Sequence, residues 1–347
     1  MLEIDGSRYS GSGTIVRQAV ALAALTGRAV RIYNARVNRP KPGLRRQHAQ
    51  AVEAIRQLVD GQTEGAVAGA MEFMFRPGKP AASRAFKWDI GSAGSTTALA
   101  LAALPVVAFH PFSISIELHG GIFQDFAPSF YHLQHVLLPL LQRMGVEASA
   151  RMERPGYVPG GQGIWRLNVV PASGVLRPLL LDAFGQVARI WGIALSSRLK
   201  EQSVSERMAD SAMRALGAAG YHAGIEVVHD DKAVQAGACL AIFADLTSGA
   251  RIGSDRAGAP GRRSEAIGKH VARQLLEDLD TNATLDRYGS DQIIPWAALA
   301  AGESKFRIPR LSEHIESNAW LSRELLGAEI KIEGHEMVIQ GVGFRAK

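Results

Sequence analysis

One pattern recurs along this chain: an apolar segment with helical periodicity precedes a segment that alternates polar and apolar residues. Apolar residues at every third or fourth position indicate a helix, and strict alternation indicates a half-buried strand. The four pairs are "SGSGTIVRQAVALAALTG" with "RAVRIYNARV", "IGSAGSTTALALAALP" with "FSISIELHGG", "YHLQHVLLPLLQRMG" with "VEASARME", and "NAWLSRELLG" with "AEIKIEGHEMVIQ". Four helix-then-strand units predict an internal repeat in which each unit lays a helix against a β-sheet.

A stretch of different character separates the third pair from the fourth. Residues 180–280 contain helix-like and strand-like segments that suggest a small α/β unit, with a Gly/Arg-rich surface loop at "SGARIGSDRAGAPGRRSE". A chain of 347 residues is long enough for two domains. We therefore predict an α/β (α+β) fold, with a repeat-built catalytic domain in residues 1–179 and 281–347 and an inserted α/β domain in residues 180–280.

Composition argues against several classes of protein. Cys239 is the single cysteine, which rules out an intramolecular disulfide and any multi-cysteine metal site. The ten histidines include no HExxH pair, so a zinc enzyme of that type is not indicated. The longest apolar run, residues 96–112, is interrupted by Pro105, and it falls short of the roughly 20 residues that span a bilayer. Because no secretory signal is visible, we expect a cytoplasmic protein that does not enter a membrane.

The strongest local signal is "RVNRPKPGLRRQH", residues 36–48, which carries five cationic side chains and no carboxylate. These cations would repel one another unless an anion lies among them, and arginine is suited to bidentate phosphate contacts. The Pro-Lys-Pro-Gly core limits backbone freedom, and the amphipathic helix predicted after it would add backbone N–H groups. A solvated basic surface loop is the alternative. We favour a preorganised site for phosphates or nucleic acid.

Three glycine-rich turns and one histidine are weaker signals. The turns are "SGSG" at residues 10–13, "GSAGST" at residues 91–96 and "GYVPGGQG" at residues 156–163. Small residues at a helix N-terminus let backbone amides approach a phosphate, but tight packing of strand and helix explains these turns equally well. None of them matches a Walker A or dinucleotide fingerprint. His314 lies in "LSEHIESNAW", just ahead of a helix, and these neighbours alone assign it no role.

Taken in order, these segments resemble the RNA 3′-terminal phosphate cyclase family over nearly the whole chain. "IDGSRYSGSGTIVRQAVALA" is similar to the family's opening segment, and "RVNRPKPGLRRQH" is similar to its Arg-x-x-Arg-x-Lys-Pro-Gly-Leu-x-x-Gln-His signature. "SEHIESN" resembles the Ser-x-His-x-x-Thr-Asn segment that carries the family's nucleophile. The further matching segments are "IGSAGST", "GYVPGGQG" and "DRYGSDQ". The inserted unit also falls where the family has one.

The resemblance implies an ATP-dependent ligase that converts RNA 3′-phosphate ends into 2′,3′-cyclic phosphates. A histidine nitrogen takes AMP from ATP and releases pyrophosphate, the AMP passes to the RNA 3′-phosphate, and the neighbouring 2′-hydroxyl displaces it. His314 matches the nucleophile. The positions that match nucleotide or phosphate contacts are Arg17, Arg36, Arg39, Gln47, Arg287, Tyr288, Gly289, Ser290 and Asp291. ATP and a divalent metal, Mg²⁺ or Mn²⁺, are the small molecules that the resemblance implies.

Three positions depart from the family pattern. Ser10 stands where members commonly carry a glutamate that touches metal and nucleotide, so the location of a metal site is unknown. Leu101 replaces a frequent glutamine, and Gln162 interrupts the glycine run that begins at Gly160. These departures put the metal site and the catalytic efficiency in doubt, and they leave the histidine and the basic loop intact.

Two other functions stay open on the sequence. Cyclase-like relatives work in ribosome assembly without the nucleophile, and a catalytically weak or inactive RNA-binding protein of that type would be compatible with Ser10. Enolpyruvyl transferases share a repeat architecture of this kind and bind phosphorylated substrates. The Arg-Pro-Lys-Pro-Gly-Leu segment and the inserted unit favour the cyclase over the transferase. The RNA preference, the oligomeric state and the role of the inserted domain are left open.

Overall fold

Three of the β-sheets in this protein share one topology. The computed structural model describes residues 1–125 and 127–346, in which three units each run strand, helix, strand, helix, strand, strand. In every unit the first and second strands are parallel, the second is antiparallel to the fourth, and the fourth is antiparallel to the third. The α/β class and the repeated helix-on-sheet units predicted from the sequence are therefore confirmed.

The bounds of the elements in these units are as follows. The first unit comprises β1 (Leu2–Asp5), α1 (Gly13–Thr26), β2 (Val30–Tyr33), α2 (Arg46–Leu58), β3 (Gln62–Glu64) and β4 (Phe73–Arg76). The second comprises β5 (Ala85–Asp89), α3 (Thr96–Ala108), β6 (Ile114–Gly120), α4 (Phe130–His132), a π-helical segment (Leu133–Leu137), α5 (Leu138–Met144), β7 (Glu147–Arg154) and β8 (Gly163–Val170). The third begins with β9 (Leu180–Leu181).

A fourth sheet interrupts the third unit after β9. It has the strand order β11-β10-β12-β13 and carries two helices, α6 and α7. These elements are β10 (Val187–Ser197), α6 (Val204–Ala218), β11 (Ala223–Asp230), β12 (Gly237–Leu246), β13 (Arg251–Ala257) and α7 (Ser264–Asp280). The third unit then resumes with α8 (Gly289–Gln292), α9 (Ile294–Leu299), β14 (Ala301–Arg307), α10 (Glu313–Leu326), β15 (Glu329–Glu333) and β16 (Glu336–Val342). Since β9 pairs with β14, we propose that the inserted domain begins a few residues after position 180.

One predicted loop contains a strand. The Gly/Arg-rich segment that the sequence indicated as a surface loop includes β13, which pairs antiparallel with β12. Its middle residues, Ile252 to Asp255, are all buried. The glycine and serine in this strand are small enough for the π-helical segment to pack closely on it, since a Cβ at Gly253 would lie 2.9 Å from a methyl carbon of Val136. Close packing of neighbouring elements therefore explains the composition that resembled a loop.

The helices form the interior, and the repeated sheets keep one face toward water. All thirteen residues of α3 are buried, as expected of a helix that is apolar on every side. Burial alternates strictly along β6, which is the pattern of a strand with one covered face. Helix α1 packs against α2, α3 and α10 and ends at Gly27, the predicted C-cap, with φ of 69°. Within the described ranges, no helix combines the length and apolar character needed to cross a bilayer.

The three units close into a ring. The second helix of the first unit, α2, packs on α3; the π-helical segment of the second unit contacts α8; and α10 of the third unit packs on α1. We call these contacts the first, second and third junctions. At each junction a side chain near the start of one helix meets the N-terminal turn of the next. These contacts are Gln47 Oε1 with Ser95 N–H at 3.1 Å, His132 Nε2 with Asp286 Oδ1 at 2.9 Å, and Ser317 Oγ with Ser10 N–H at 3.3 Å.

Candidate active site

The third junction holds the histidine that the sequence analysis singled out. Helix α10 begins at Glu313, and the Ser312 hydroxyl caps it by accepting the N–H of Ile315 at 3.3 Å. His314 lies half-buried in the first turn, and its Nδ1 is 3.1 Å from Oγ1 of Thr14 in α1. The imidazole is therefore held at the point where the N-termini of two helices meet.

The Thr14 hydroxyl connects this imidazole to a guanidinium. Nη2 of Arg17 donates to Oγ1 of Thr14 at 3.3 Å. Burial lowers the pKa of His314, and the positive charges of Arg17 and Arg39 lower it further. A lowered pKa keeps the imidazole neutral at pH 7, with a lone pair available for nucleophilic attack.

The basic loop of residues 36–48 is attached to the N-terminal turn of α1 at the same junction. Nη2 of Arg39 donates to the carbonyl of Ser10 at 2.6 Å, and its Nε donates to the carbonyl of Gly11 at 3.4 Å. Asn38 donates to the carbonyl of Ser7 at 3.5 Å. The loop and the turn thus form one wall, although they come from different parts of the unit.

Arg36 closes the basic loop on itself. Its Nη1 donates to the carbonyls of Lys41 at 2.9 Å and Gly43 at 2.6 Å. Arg36 has a φ of 57°, a left-handed conformation that is uncommon for arginine. Gly43 has a φ of 74°, and a Cβ there would lie 2.3 Å from the carbonyl oxygen of Gly69. The loop therefore has a defined conformation that depends on glycine at position 43, in agreement with the rigid loop expected from its prolines.

The cations of this wall lack carboxylate partners. Within the described part of the chain, no ion pair forms to Arg17, Arg36, Arg39, Lys41, Arg45 or Arg46. Burial lowers the pKa of Arg36, and the charges of Arg45 and Arg39 lower it further. Burial also lowers the pKa of Arg17 to about 10; the charge of Asp291 opposes this shift, and the charge of Arg36 adds to it. Crowded, uncompensated guanidiniums favour a bound polyanion.

A second imidazole lines the same wall. His48 is buried in the first turn of α2, and its Nδ1 accepts the backbone N–H of Arg45 at 3.0 Å. A Cβ on Gly13 would lie 2.1 Å from Nε2 of His48, so glycine at this position lets the ring pack directly on α1. Burial lowers the pKa of His48 to about 2, with Arg17 and Arg36 contributing, and the ring is neutral. The sequence analysis did not select His48 as a site residue, although the Gln-His end of the basic motif pointed to it.

Asp291 supplies a carboxyl group to the site from helix α8. Its side chain is 8% exposed, and burial raises its pKa to about 7, against the opposing effects of a hydrogen bond from Gln292 and the charge of Arg17. Nδ2 of Asn318 donates to the backbone carbonyl of Asp291 at 2.7 Å. Because Asn318 lies one turn after His314 in α10, this contact fixes α8 relative to the imidazole.

The Arg287 side chain does not lie among the residues of the third junction. Its Nη2 lies 2.7 Å from Oδ1 of Asp278 and 2.9 Å from Oε2 of Glu277, both on α7. Only 10% of the Arg287 side chain is exposed. Its guanidinium is therefore committed to the inserted unit, and we do not propose it as a phosphate contact.

The segment between Arg287 and Asp291 is organised by a buried carboxylate. Oδ1 of Asp286 accepts the N–H groups of Tyr288 at 2.9 Å and Gly289 at 2.7 Å, and the Ser290 hydroxyl donates to the Asp286 carbonyl at 2.6 Å. His132 also contacts Asp286, whose charge raises the pKa of His132 while burial opposes the shift. Tyr288, Gly289 and Ser290 thus form a rigid turn beside Asp291, and the Ser290 hydroxyl is already used within it.

The structure brings only part of the predicted set together. His314, Arg17, Arg36, Arg39 and Asp291 surround the third junction, linked through the hydrogen bonds and charge effects described above. Gln47 lies between the first and third junctions: its Oε1 accepts the N–H of Ser95 at 3.1 Å, and its Nε2 lies 3.5 Å from Nε2 of His48. Thr14 and His48 join the site without having been predicted.

The residues around Ser10 do not suit a divalent cation. The Ser10 hydroxyl lies 3.0 Å from that of Ser12 and 2.8 Å from that of Ser317, and all three groups are neutral. Magnesium favours carboxylate and phosphate oxygens, whereas Arg39 already occupies the Ser10 carbonyl. In residues 1–125 and 127–346, no three histidine, cysteine or carboxylate side chains come together as a metal site. We therefore derive no step through a protein-bound metal, and Mg²⁺ or Mn²⁺ stays a prediction.

Comparison with known proteins identifies the family of this chain. A family model described as RNA 3′-terminal phosphate cyclase matches residues 8–332. The chain is 38% identical over 347 residues to the RNA 3′-terminal phosphate cyclase of Hyperthermus butylicus, covering 97% of this chain and 95% of that protein. It is 36% identical over 334 residues to the protein of the same name from Methanothermobacter thermautotrophicus, covering 96% and 97%. The chain therefore belongs to the RNA 3′-terminal phosphate cyclase family.

Proposed function

We propose that this protein uses ATP to convert an RNA 3′-terminal phosphate into a 2′,3′-cyclic phosphate through a covalent histidine–AMP intermediate. In the first step, Nε2 of His314 attacks the α-phosphorus of ATP. An N–P bond forms, the bond from the α-phosphorus to the bridging oxygen breaks, and pyrophosphate leaves. The observation that carries this proposal is a neutral imidazole held at 3.1 Å by Thr14 among unpaired guanidiniums.

Thr14 prepares the imidazole for this attack. A hydroxyl oxygen has two lone pairs, so Oγ1 of Thr14 can accept from Arg17 and also from Nδ1–H of His314. With the proton on Nδ1, the lone pair of Nε2 is free to attack phosphorus. The phosphoramidate that results is a good carrier of AMP, because its P–N bond breaks readily once the nitrogen is protonated.

Arg17, Arg36 and Arg39 would hold the phosphates. The charges of Arg17 and Arg39 act on the imidazole of His314. Arg36 lies close enough to these two arginines to act on both. Within the described residues none of the three guanidiniums forms an ion pair, so a triphosphate or an RNA phosphate would satisfy them. Negative charge builds on the oxygens around phosphorus during transfer, and fixed cations stabilise that charge most where water is excluded. The partly buried position of this wall suits that role.

The second and third steps transfer the AMP and close the ring. An oxygen of the RNA 3′-phosphate attacks the phosphorus of the histidine-bound AMP, an O–P bond forms, and the N–P bond breaks to regenerate the imidazole. The neighbouring ribose 2′-hydroxyl then attacks the activated RNA phosphorus. The cyclic ester forms, the hydroxyl proton passes to solvent, and AMP leaves.

The experiment that tests the first step is covalent labelling. The protein is incubated with ATP labelled at the α-phosphate, with and without Mg²⁺ or Mn²⁺, and examined for label that is acid-labile and stable to alkali. We expect label on the wild type and none on His314→Ala. His222→Ala removes an exposed histidine of the inserted unit and is the matched control. Label on His314→Ala equal to that of the wild type would refute the proposal.

Ser10 favours one alternative, a cyclase-like RNA-binding protein without turnover. The three hydroxyls around Ser10 provide no carboxylate for a metal–nucleotide complex. This alternative predicts that the wild type binds RNA but takes no label from ATP with either metal. The family match over residues 8–332 supports the cyclase interpretation over the enolpyruvyl transferase interpretation.

A further inference from the structure

Two rows of residues run side by side away from the reactive histidine. Helix α10 presents His314, Ser317 and Trp320 at intervals of three, so these side chains lie along one face. Each contacts a residue in the first turn of α1 or in the segment that leads into it. The contacts are His314 with Thr14 at 3.1 Å, Ser317 with Ser10 at 2.8 Å between hydroxyls, and Trp320 with Tyr9 at 5.9 Å between ring centres. Tyr9 and Trp320 therefore mark the far end of a path that starts at the imidazole.

Tyr9 has an unusual combination of properties. It is 47% exposed, although it is a large side chain next to a site. Its φ is 45°, in the left-handed region that a glycine adopts without strain and an aromatic residue rarely does. Residues held in such conformations cluster at ligand-binding sites, where the side chain compensates for the strain. An exposed ring in a strained backbone suggests that the ring itself has a use.

Cationic residues lie close to this aromatic pair. The guanidinium carbon of Arg8 lies 5.1 Å from the centre of the Trp320 ring. The basic loop is attached beside Tyr9, because Arg39 and Asn38 donate to the carbonyls of Ser10 and Ser7, which bracket Tyr9 in the chain. Aromatic faces set beside a cationic track are the combination by which proteins bind single-stranded nucleic acid, with bases on the rings and phosphates on the cations.

The geometry points to Tyr9 as a stacking platform for a base near the 3′ end of a single-stranded RNA. Trp320 lies six residues along α10 from His314, which corresponds to about 9 Å along the helix axis. That separation suits the step from a terminal phosphate to the base of its own or the preceding nucleotide. This inference rests on the proposed function, because it takes the RNA 3′-phosphate to be at His314.

The test compares two substitutions at the same position. Tyr9→Gly removes the ring and relieves the backbone strain, so loss of folding would not explain its effect. Tyr9→Phe keeps the ring and is the matched control. With a short single-stranded RNA bearing a 3′-phosphate, we expect KM for RNA to rise about tenfold in Tyr9→Gly, the loss typical of one stacked base. We expect Tyr9→Phe to stay within about twofold of the wild type, and thermal unfolding of both variants checks their folding.

The outcomes separate this inference from the proposed function. An unchanged KM for RNA in Tyr9→Gly would overturn the inference while leaving the labelling of His314 untouched. A rise in the KM for ATP during labelling without RNA would also overturn it, because the ring would then stack on adenine. Absence of label on the wild type would instead remove the proposed function, and the inference with it.

Discussion

At the scale of single residues, one hydroxyl holds the imidazole that we propose as the nucleophile. Thr14 and His314 are 300 positions apart in the chain, yet their side chains meet at 3.1 Å. The same hydroxyl accepts from Arg17, so a single oxygen links His314 to one of the cations proposed to hold phosphate. We assign Thr14 as a positioning residue that acts through His314.

Thr14→Val should slow the labelling of His314. Valine keeps the shape of threonine but cannot accept from Nδ1–H, so the tautomer with a free Nε2 lone pair is no longer favoured. A wrong tautomer can cost several orders of magnitude in rate, and we expect a loss of at least about tenfold here. Thr14→Ser should restore most of the rate. Single-turnover labelling measures the effect, and ¹⁵N NMR of His314 reports the tautomer; a wild-type rate in Thr14→Val would contradict the assignment.

The pH dependence of labelling should reflect the environment of the imidazole. Because burial and the neighbouring arginines lower the pKa of His314, its neutral form persists to lower pH than the ordinary value of 6.5 would allow. The midpoint of the fall in labelling rate at low pH should therefore lie below 6.5. Asp291, with a pKa of about 7, titrates in the same site, so the profile is also measured in Asp291→Asn. A midpoint above 6.5 in that variant would be inconsistent with a lowered pKa.

The sequence predicted the charged residues of the site better than its neutral ones. Arg36 and Arg39 lie in a dense local motif, and their uncompensated charge is visible without any structure. Thr14 and Tyr9 carry no local signal, because their roles depend on contacts with α10 at the other end of the chain. Arg287 stays a prediction from its motif, and in the structure partners on the inserted unit hold its side chain.

At the scale of elements, the candidate site lies where the N-termini of three helices come together. The N-terminal turns of α1, α2 and α10 converge, which brings several unpaired N–H groups and their positive dipole ends to one place. That convergence requires close contact between backbones. Gly13 allows it, because its missing side chain leaves the space that the His48 ring occupies.

Gly13→Ala should disturb both stability and labelling. The new methyl group would lie 2.1 Å from Nε2 of His48, and either the ring or helix α1 must move. Overpacking of this kind typically costs about 1–3 kcal/mol in the free energy of unfolding. Gly217→Ala is the control, because nothing lies within 4 Å of a Cβ there and alanine favours the helical state at this exposed position of α6. Urea unfolding of both variants measures the difference, and equal stability would show that His48 can move freely.

Individual elements were more predictable than their pairing. All four predicted helix-then-strand pairs exist, because periodicity is a local property. They nevertheless belong to three units of two pairs each, and two pairs, α2 with β3 and α9 with β14, were not recognised as part of the repeat. The strand order that defines a unit depends on hydrogen bonds between distant segments, which the sequence pattern does not contain.

At the scale of the whole molecule, a buried polar network joins the inserted sheet to the ring. Asp286 contacts His132 of the second unit and accepts the N–H of Gly253 in β13 at 2.9 Å. Asp255, also in β13, accepts the N–H of Ser129 at 3.1 Å. The turn that leads to Asp291 is therefore fixed by both the second unit and the inserted sheet.

His132→Phe should destabilise the molecule and loosen this turn. Removing the His132 imidazole leaves the Asp286 carboxylate buried without its cationic partner. Such a change typically costs about 3–5 kcal/mol in the free energy of unfolding. The pKa of Asp286 is lowered and that of His132 raised by their mutual attraction, although burial opposes both shifts. The pair therefore stabilises the fold above the unfolded pKa of Asp286, and this contribution is lost as pH rises through the pKa of His132.

Unfolding at several pH values and hydrogen exchange of residues 287–291 measure this effect. We expect the difference between wild type and His132→Phe to be larger at pH 6 than at pH 9, and exchange of the turn to become faster. The double variant with Asp286→Asn should lose less than the sum of the two single losses. Additive losses would mean that the pair is not coupled.

The interruption of the third unit has a consequence for the order of events during synthesis. The first two units have all their strands once residue 170 has been made, and N-terminal portions of a chain generally fold first. Strand β9 must instead wait for β14, more than a hundred residues later, and α10 follows still later. His314 is thus delivered after the first two units, and under the proposed function a nascent chain on the ribosome cannot take AMP from ATP until α10 has been made.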